Sequence, residues 1–133
     1  KTSIMGHYTK LQIFVDSYEM VKLLLPKINK INKSYKYIIG EEAKRSAIRM
    51  LSLINIINTT ENMSERLKYM KQFQCYFENI KLCMKLCIDL NLLSAKEFSN
   101  IYPLMKNIHE QFIKWRGFTE KTANFSKQET IFH

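Results

Sequence analysis

The sequence predicts an all-α fold, an up-down-up-down antiparallel four-helix bundle, and three observations carry that prediction. Only three glycines and two prolines occur in 133 residues, so turns are few and elements long. Leu, Ile, Lys, Glu, Met and Asn dominate the middle of the chain, while valine occurs only at Val15 and Val21, which disfavours strands. Apolar residues also recur at steps of three and four through four successive segments. The length suits one core, and a single domain is expected over residues 1–117.

The first helix is expected over about 8–31, with Leu11, Phe14 or Val15, Tyr18, Val21, Leu25 and Ile28 as its apolar stripe. Pro26 lies in that stripe and either kinks the helix or ends it, leaving "NKINKS" as frayed end and loop. The second, about 37–58, places Gly40, Ala43, Ala47, Met50, Ile54 and Ile57 on one seam. Its small residues come first, which predicts a narrow bundle end where helix axes approach closely. Asn62 with Glu65 caps the third helix, about 63–91, whose seam is Met63, Leu67, Met70, Phe73, Phe77, Ile80, Met84 and Cys87.

Ser94 and Glu97 then form a capping box, with Leu93 and Phe98 as a hydrophobic staple, and start a fourth helix over about 95–116. Its seam is Phe98, Ile101, Met105, Ile108, Phe112 and Trp115. Pro103 predicts a bend inside it and Gly117 its stop. Residues 118–133, closing "TEKTANFSKQETIFH", lack a sustained apolar period and are expected to form a mobile tail unless a neighbouring subunit holds them.

The formal charge is +9, and it is uneven. Between Lys22 and Arg49 eight bases face two acids, Glu41 and Glu42, so this fifth of the chain carries +6. Such asymmetry points to an anionic partner, nucleic acid ahead of a membrane surface; a lysine-rich solvated face is the other reading. Within the stretch Arg45 and Arg49 share a helix face, and Glu41 is expected to pair with Arg45 at i+4, leaving Lys44 and Arg49 to meet phosphate. Lys33 and Lys36 flank them, and Lys114 and Arg116 beside Trp115 extend the basic surface. Tyr35 and Tyr37 either stack on exposed bases or pack over the bundle end with wet hydroxyls.

Cys75, Cys83 and Cys87 fall on one predicted helix, an arrangement expected of buried reduced thiols in a cytoplasmic protein. A metal shared by Cys83, Cys87 and His109 is disfavoured because Cys87 lies on the apolar seam. The histidines His7, His109 and His133 are scattered, and neither a Glu-x-x-His pair, a glycine-rich phosphate loop nor a nucleophile elbow occurs. No enzymatic role and no cofactor are expected. No apolar run approaches the ~20 residues of a membrane span. Position 1 is not methionine, so the start is expected to be trimmed or to carry foreign residues.

Three strings, "YKYIIGEEAKRSAIRML" (Tyr35–Leu51), "KLCIDLNLLSAKEF" (Lys85–Phe98) and "FIKWRGF" (Phe112–Phe118), occur in the order seen in a small bacterial four-helix-bundle family, which the chain resembles from about Tyr18 to Phe118. That family contains the accessory variability determinant, Avd, of diversity-generating retroelements and the protein encoded by intervening sequences in 23S rRNA genes. The resemblance implies a non-catalytic bundle assembled into a homopentameric barrel with a basic surface. In the Avd group, towards which "YKYIIGEEAKR" leans, it implies binding to a reverse transcriptase and to nucleic acid, RNA or DNA. In the intervening-sequence group the role is open. A protein-interaction scaffold whose charge meets an acidic protein surface is the reading from a different class. Pro103 and the stretch after Gly117 depart from the family pattern.

Overall fold

The computed structural model describes the backbone of residues 7–132 and the side chains of residues 7–128. The first six residues, expected to be trimmed or foreign, and His133 lie outside the described residues. Among the described residues the chain is helical, without strands, and four helices dominate: α1 (Gln12–Ile28), α2 (Glu41–Thr59), α3 (Met63–Asp89) and α4 (Tyr102–Phe132). Short helical turns precede α1 (His7–Lys10), α2 (Lys33–Tyr35 and the wide turn Lys36–Gly40) and α4 (Ala95–Phe98). Helix α1 packs against α2 and α4, and α3 packs against the same two. The result is a helical bundle around one core.

The seams of α2, α3 and α4 lie where periodicity places them, except that Met63, Leu67 and Trp115 are half-buried. Ala43, Ala47, Met50, Ile54 and Ile57 are buried on α2, Met70, Phe73, Phe77, Ile80, Met84 and Cys87 on α3, and Phe98, Ile101, Met105, Ile108 and Phe112 in and before α4. Phe73 and Phe112 stack across the α3–α4 contact with ring centroids 5.2 Å apart. Burying such rings supplies ~2 kcal/mol or more each, and this contact closes the middle of the bundle.

Helix α1 differs from its expected stripe. Its buried face is Ile13, Ser17, Met20, Leu24 and Ile28, flanked by Asp16 and Val21, while Val15 and Tyr18 stand 45% and 49% exposed. The reason is a polar pair inside the true stripe. The Asp16 carboxylate accepts hydrogen bonds from the Gln12 amide at 2.9 Å and from the Gln111 amide of α4 at 2.7 Å. An acceptor paired in this way tolerates burial. Phe14 and Tyr18 instead stack on the outer side, with centroids 5.6 Å apart. Pro26 does not end α1 before itself; the helix runs two residues on, to Ile28.

The start and end of α4 also depart from expectation. The Ser94–Glu97 capping box forms in full, but it caps the short turn Ala95–Phe98 and not the long helix. Pro103 lacks the N–H that would bond the Ser99 carbonyl, so the chain turns at residues 99–101 and α4 begins at Tyr102. Pro103 thus sits in the first turn of α4, where a missing donor costs nothing, and not in the helix interior where a bend was expected. At the other end α4 continues through Gly117 to Phe132, so the expected stop at residue 116 is wrong. Thr119 and Ala123 are buried beyond it, and Thr119 and Thr122 return their hydroxyls to the Trp115 and Phe118 carbonyls at 2.9 and 3.0 Å. No helix among the described residues is long and apolar enough to cross a membrane.

Candidate nucleic-acid interface

The basic stretch occupies the corner where the end of α1 meets the start of α2. After Ile28 the chain makes a turn through Lys30, buries Ile31, and caps a new helical turn with Asn32, whose side-chain oxygen accepts from the Ser34 N–H at 2.8 Å. At Lys36–Gly40 the helix widens: the Glu41 N–H bonds back to the Lys36 carbonyl, five residues earlier. Such π turns insert one residue into a helix and recur at functional sites. Ile39 and Gly40 face inward, whereas Tyr37 and Ile38 are 70% and 71% exposed.

Gly40 has ordinary right-handed helical geometry. A methyl group on it would lie 3.5 Å from side-chain atoms of Ile28, Ile31 and Lys36, which is normal contact. Close approach of two helices therefore does not require this glycine. What the contacts do reveal is that the Lys36 stem lies along the backbone at Gly40, half-buried, so its ammonium group emerges at the corner.

The pairing of charge is selective. Arg45 pairs with Glu42 and not, as expected, with Glu41. Asn79 of α3 explains the choice: its amide donates to the other oxygen of the Glu42 carboxylate at 2.7 Å and holds it against α2. The hydrogen bond from Arg45 to Glu42, and the charge of that carboxylate, raise the guanidinium pKa further above its usual value. Among the described residues Glu41 stays exposed without an ion pair. Among the described residues Lys27, Lys30, Lys33, Lys36, Lys44 and Arg49 make no ion pair either. Lys33 and Arg49 are exposed and Lys44 half-buried.

The seven basic residues singled out from the sequence do not form one patch. Lys33, Lys36, Lys44, Arg45 and Arg49 belong to the α1–α2 corner. Arg116 lies beside Gln74 of α3, to which it donates at 3.1 Å, and sits 5.4 Å from the Phe112 ring and 3.8 Å from Glu120. Trp115 lines a shallow cleft with Leu11 and Asn58, at the opposite end of α2 from Lys44. Fourteen residues of helix separate Lys44 from Asn58, about 20 Å, so Lys114 and Arg116 stand well apart from the corner. Lys44 and Arg49, five positions apart, point about 140° away from each other around α2. Lys27 and Lys30, which sequence reasoning did not single out, belong to the same basic run, with Lys27, Lys30, Lys33 and Lys36 at every third position across the end of α1, the turn after it and the next helical turns.

The thiols divide. Cys83 and Cys87 are buried, and burial pushes the Cys83 thiol up from 9.0 to about 11, with Glu42 and Cys87 adding to it; burial raises Cys87 as well. Cys75, expected to be buried, is exposed. Among the described residues no group of three or more His, Cys, Asp or Glu side chains could hold a metal ion. No known family model matches the chain, and none of the curated proteins matches it.

Proposed function

We propose that the protein is a non-catalytic, basic helical bundle that binds nucleic acid through the α1–α2 corner. One observation carries the reading: six bases of that corner lack a carboxylate partner among the described residues, whereas three of the lysines on α3 each sit one turn from an acid. Uncompensated cations bind a polyanion by releasing its counterions. The three strings resembling the Avd and intervening-sequence family support the same function, and support a reverse transcriptase as a further partner.

The up-down-up-down topology belongs to this reading. Asn79 of α3 reaches Glu42 and Ser46 of α2, Gln111 of α4 reaches Asp16 of α1, and Arg116 of α4 reaches Gln74 of α3, all consistent with antiparallel neighbours. A homo-oligomer, five-fold by the family resemblance, is supported by Leu82, Leu86 and Leu90, which stand exposed at successive four-residue steps along α3 and its end. A cytoplasmic location fits the three free thiols. An acidic protein surface as the partner is the second reading, and the same unpaired bases favour it.

Fluorescence anisotropy with a labelled structured RNA and a DNA of the same sequence, at several salt concentrations, tests the function, with the mass of the oligomer followed by light scattering. Affinity that falls steeply with salt is the expected result. An intact oligomer that binds neither strand at low salt refutes it and leaves the protein-partner reading.

A further inference from the structure

The most exposed large apolar side chains among the described residues are adjacent, Tyr37 and Ile38, and both sit on the π turn inside the basic corner. Leaving two such side chains in water forgoes the free energy of burying them. The neighbouring Tyr35 is only 38% exposed and fits the simple reading of a tyrosine packed over the bundle end. Tyr37 does not. Other exposed aromatics are differently placed: Tyr18 is stacked on Phe14 and has Lys22 5.8 Å from its ring, and Phe118 and Phe125 belong to the far part of α4.

We infer that the polyanion taken by this corner is a single-stranded nucleic acid, with an unpaired base stacked on the Tyr37 ring beside Ile38 while Lys33, Lys36 and Lys44 meet the flanking phosphates. This rests on the nucleic-acid reading above and narrows it. A duplex keeps its base faces inside the stack, so it engages the lysines and gains nothing from an outward tyrosine; an unpaired base offers its face, whatever its identity. Lys33 lies four positions before Tyr37 and Lys44 seven after it, so cations stand on both sides of the ring along the helical chain. Lys36, with its stem laid across Gly40, adds a third. Glu41, exposed and among the described residues without an ion pair, lies four positions after Tyr37, between it and Lys44, and weakens the attraction for phosphate on that side.

The test compares a labelled single strand of mixed sequence with its blunt duplex, by anisotropy at one low salt concentration, using the full chain, Tyr37→Ser, Tyr37→Phe and the double variant Lys33→Glu, Lys36→Glu. Tyr37→Ser weakens the single strand about tenfold and leaves the duplex unchanged, since stacking on one aromatic ring is worth a factor of that order. Tyr37→Phe retains binding, and the lysine variant loses both ligands. Glu41→Gln tightens both. Tyr37→Ser binding the single strand as tightly as the parent, while the lysine variant still loses it, overturns the inference and keeps the nucleic-acid reading. A parent chain that binds neither ligand overturns both. Circular dichroism on each variant separates lost contact from lost fold, and the side chains changed are all solvent-facing or half-exposed.

Discussion

Helix α3 and the α1–α2 corner are both rich in lysine, yet they treat charge and backbone in opposite ways. On α3, Lys68, Lys81 and Lys85 stand 3.6, 3.2 and 3.0 Å from Glu65, Glu78 and Asp89, one turn away along an unbroken helix of 27 residues. Among the described residues of the basic stretch Lys22 and Arg45 have such a partner and six other bases do not, and the helix widens through a π turn that turns Tyr37 and Ile38 outward. Net charge therefore locates little by itself. The pattern of pairing distinguishes a solvated face from a surface that still has charge to satisfy.

The closed side is broken most severely from within. Phe73 is 1% exposed and stacked on Phe112, so Phe73→Ala is expected to cost about 3–5 kcal/mol, read as a lower urea midpoint. The open side is broken by charge. Lys44→Glu with Arg49→Glu is expected to weaken nucleic-acid binding about a hundredfold at low salt with helicity intact, whereas Lys68→Glu with Lys81→Glu changes it about twofold or less. Equal losses from the two pairs would erase the distinction drawn between the regions.

Alkali probes the buried thiols of α3. The folded chain holds the Cys83 proton after the unfolded chain has released it, because burial raises that thiol from 9.0 to about 11. Its contribution is whole below pH 9.0 and is lost as pH rises to about 11, so the urea midpoint falls across that interval and falls less in Cys83→Ala. At neutral pH a maleimide is expected to label Cys75 alone in the native protein; prompt labelling of Cys83 or Cys87 would show that α3 opens readily. The smallest effects tighten the loose places. Gly40→Ala fits at contact distance and should stabilise by about 0.5–1 kcal/mol. Ser17→Ala removes a buried hydroxyl without a hydrogen-bond partner and should stabilise by about 1 kcal/mol. A loss of stability in either variant would reveal a constraint at that site which the packing does not explain.

Much of the fold was legible because α2, α3 and α4 bury uninterrupted apolar seams, and period alone then selects the face. It failed on α1, where Ser17 sits in the buried stripe and Asp16 is buried beside it, the latter satisfied by Gln111 some ninety-five residues away. No local pattern reports a partner at that distance. It failed at the ends of α4 because a capping box specifies a helical start without specifying its length, and because glycine lowers helix propensity without forbidding a helix whose next turns bury Thr119 and Ala123. At the site, the basic stretch was evident from sequence. The choice of Glu42 over Glu41 was not, since Asn79 of another helix decides it. Nor was the outward aim of Tyr37 and Ile38, which depends on one residue of extra winding.

That extra winding has a consequence for how the chain can change over generations. A π turn differs from ordinary helix by a single inserted residue, so deleting one position between Lys36 and Gly40 restores regular winding and rotates everything before it by about 100° relative to α2. The seam from Ala43 to Ile57 begins downstream and keeps its place in the core. Ile28 and Ile31 before the turn and Ile39 within it are buried, so the same rotation would take them off the core, and a single-residue deletion here is expected to lower the melting temperature as well as re-aim the corner.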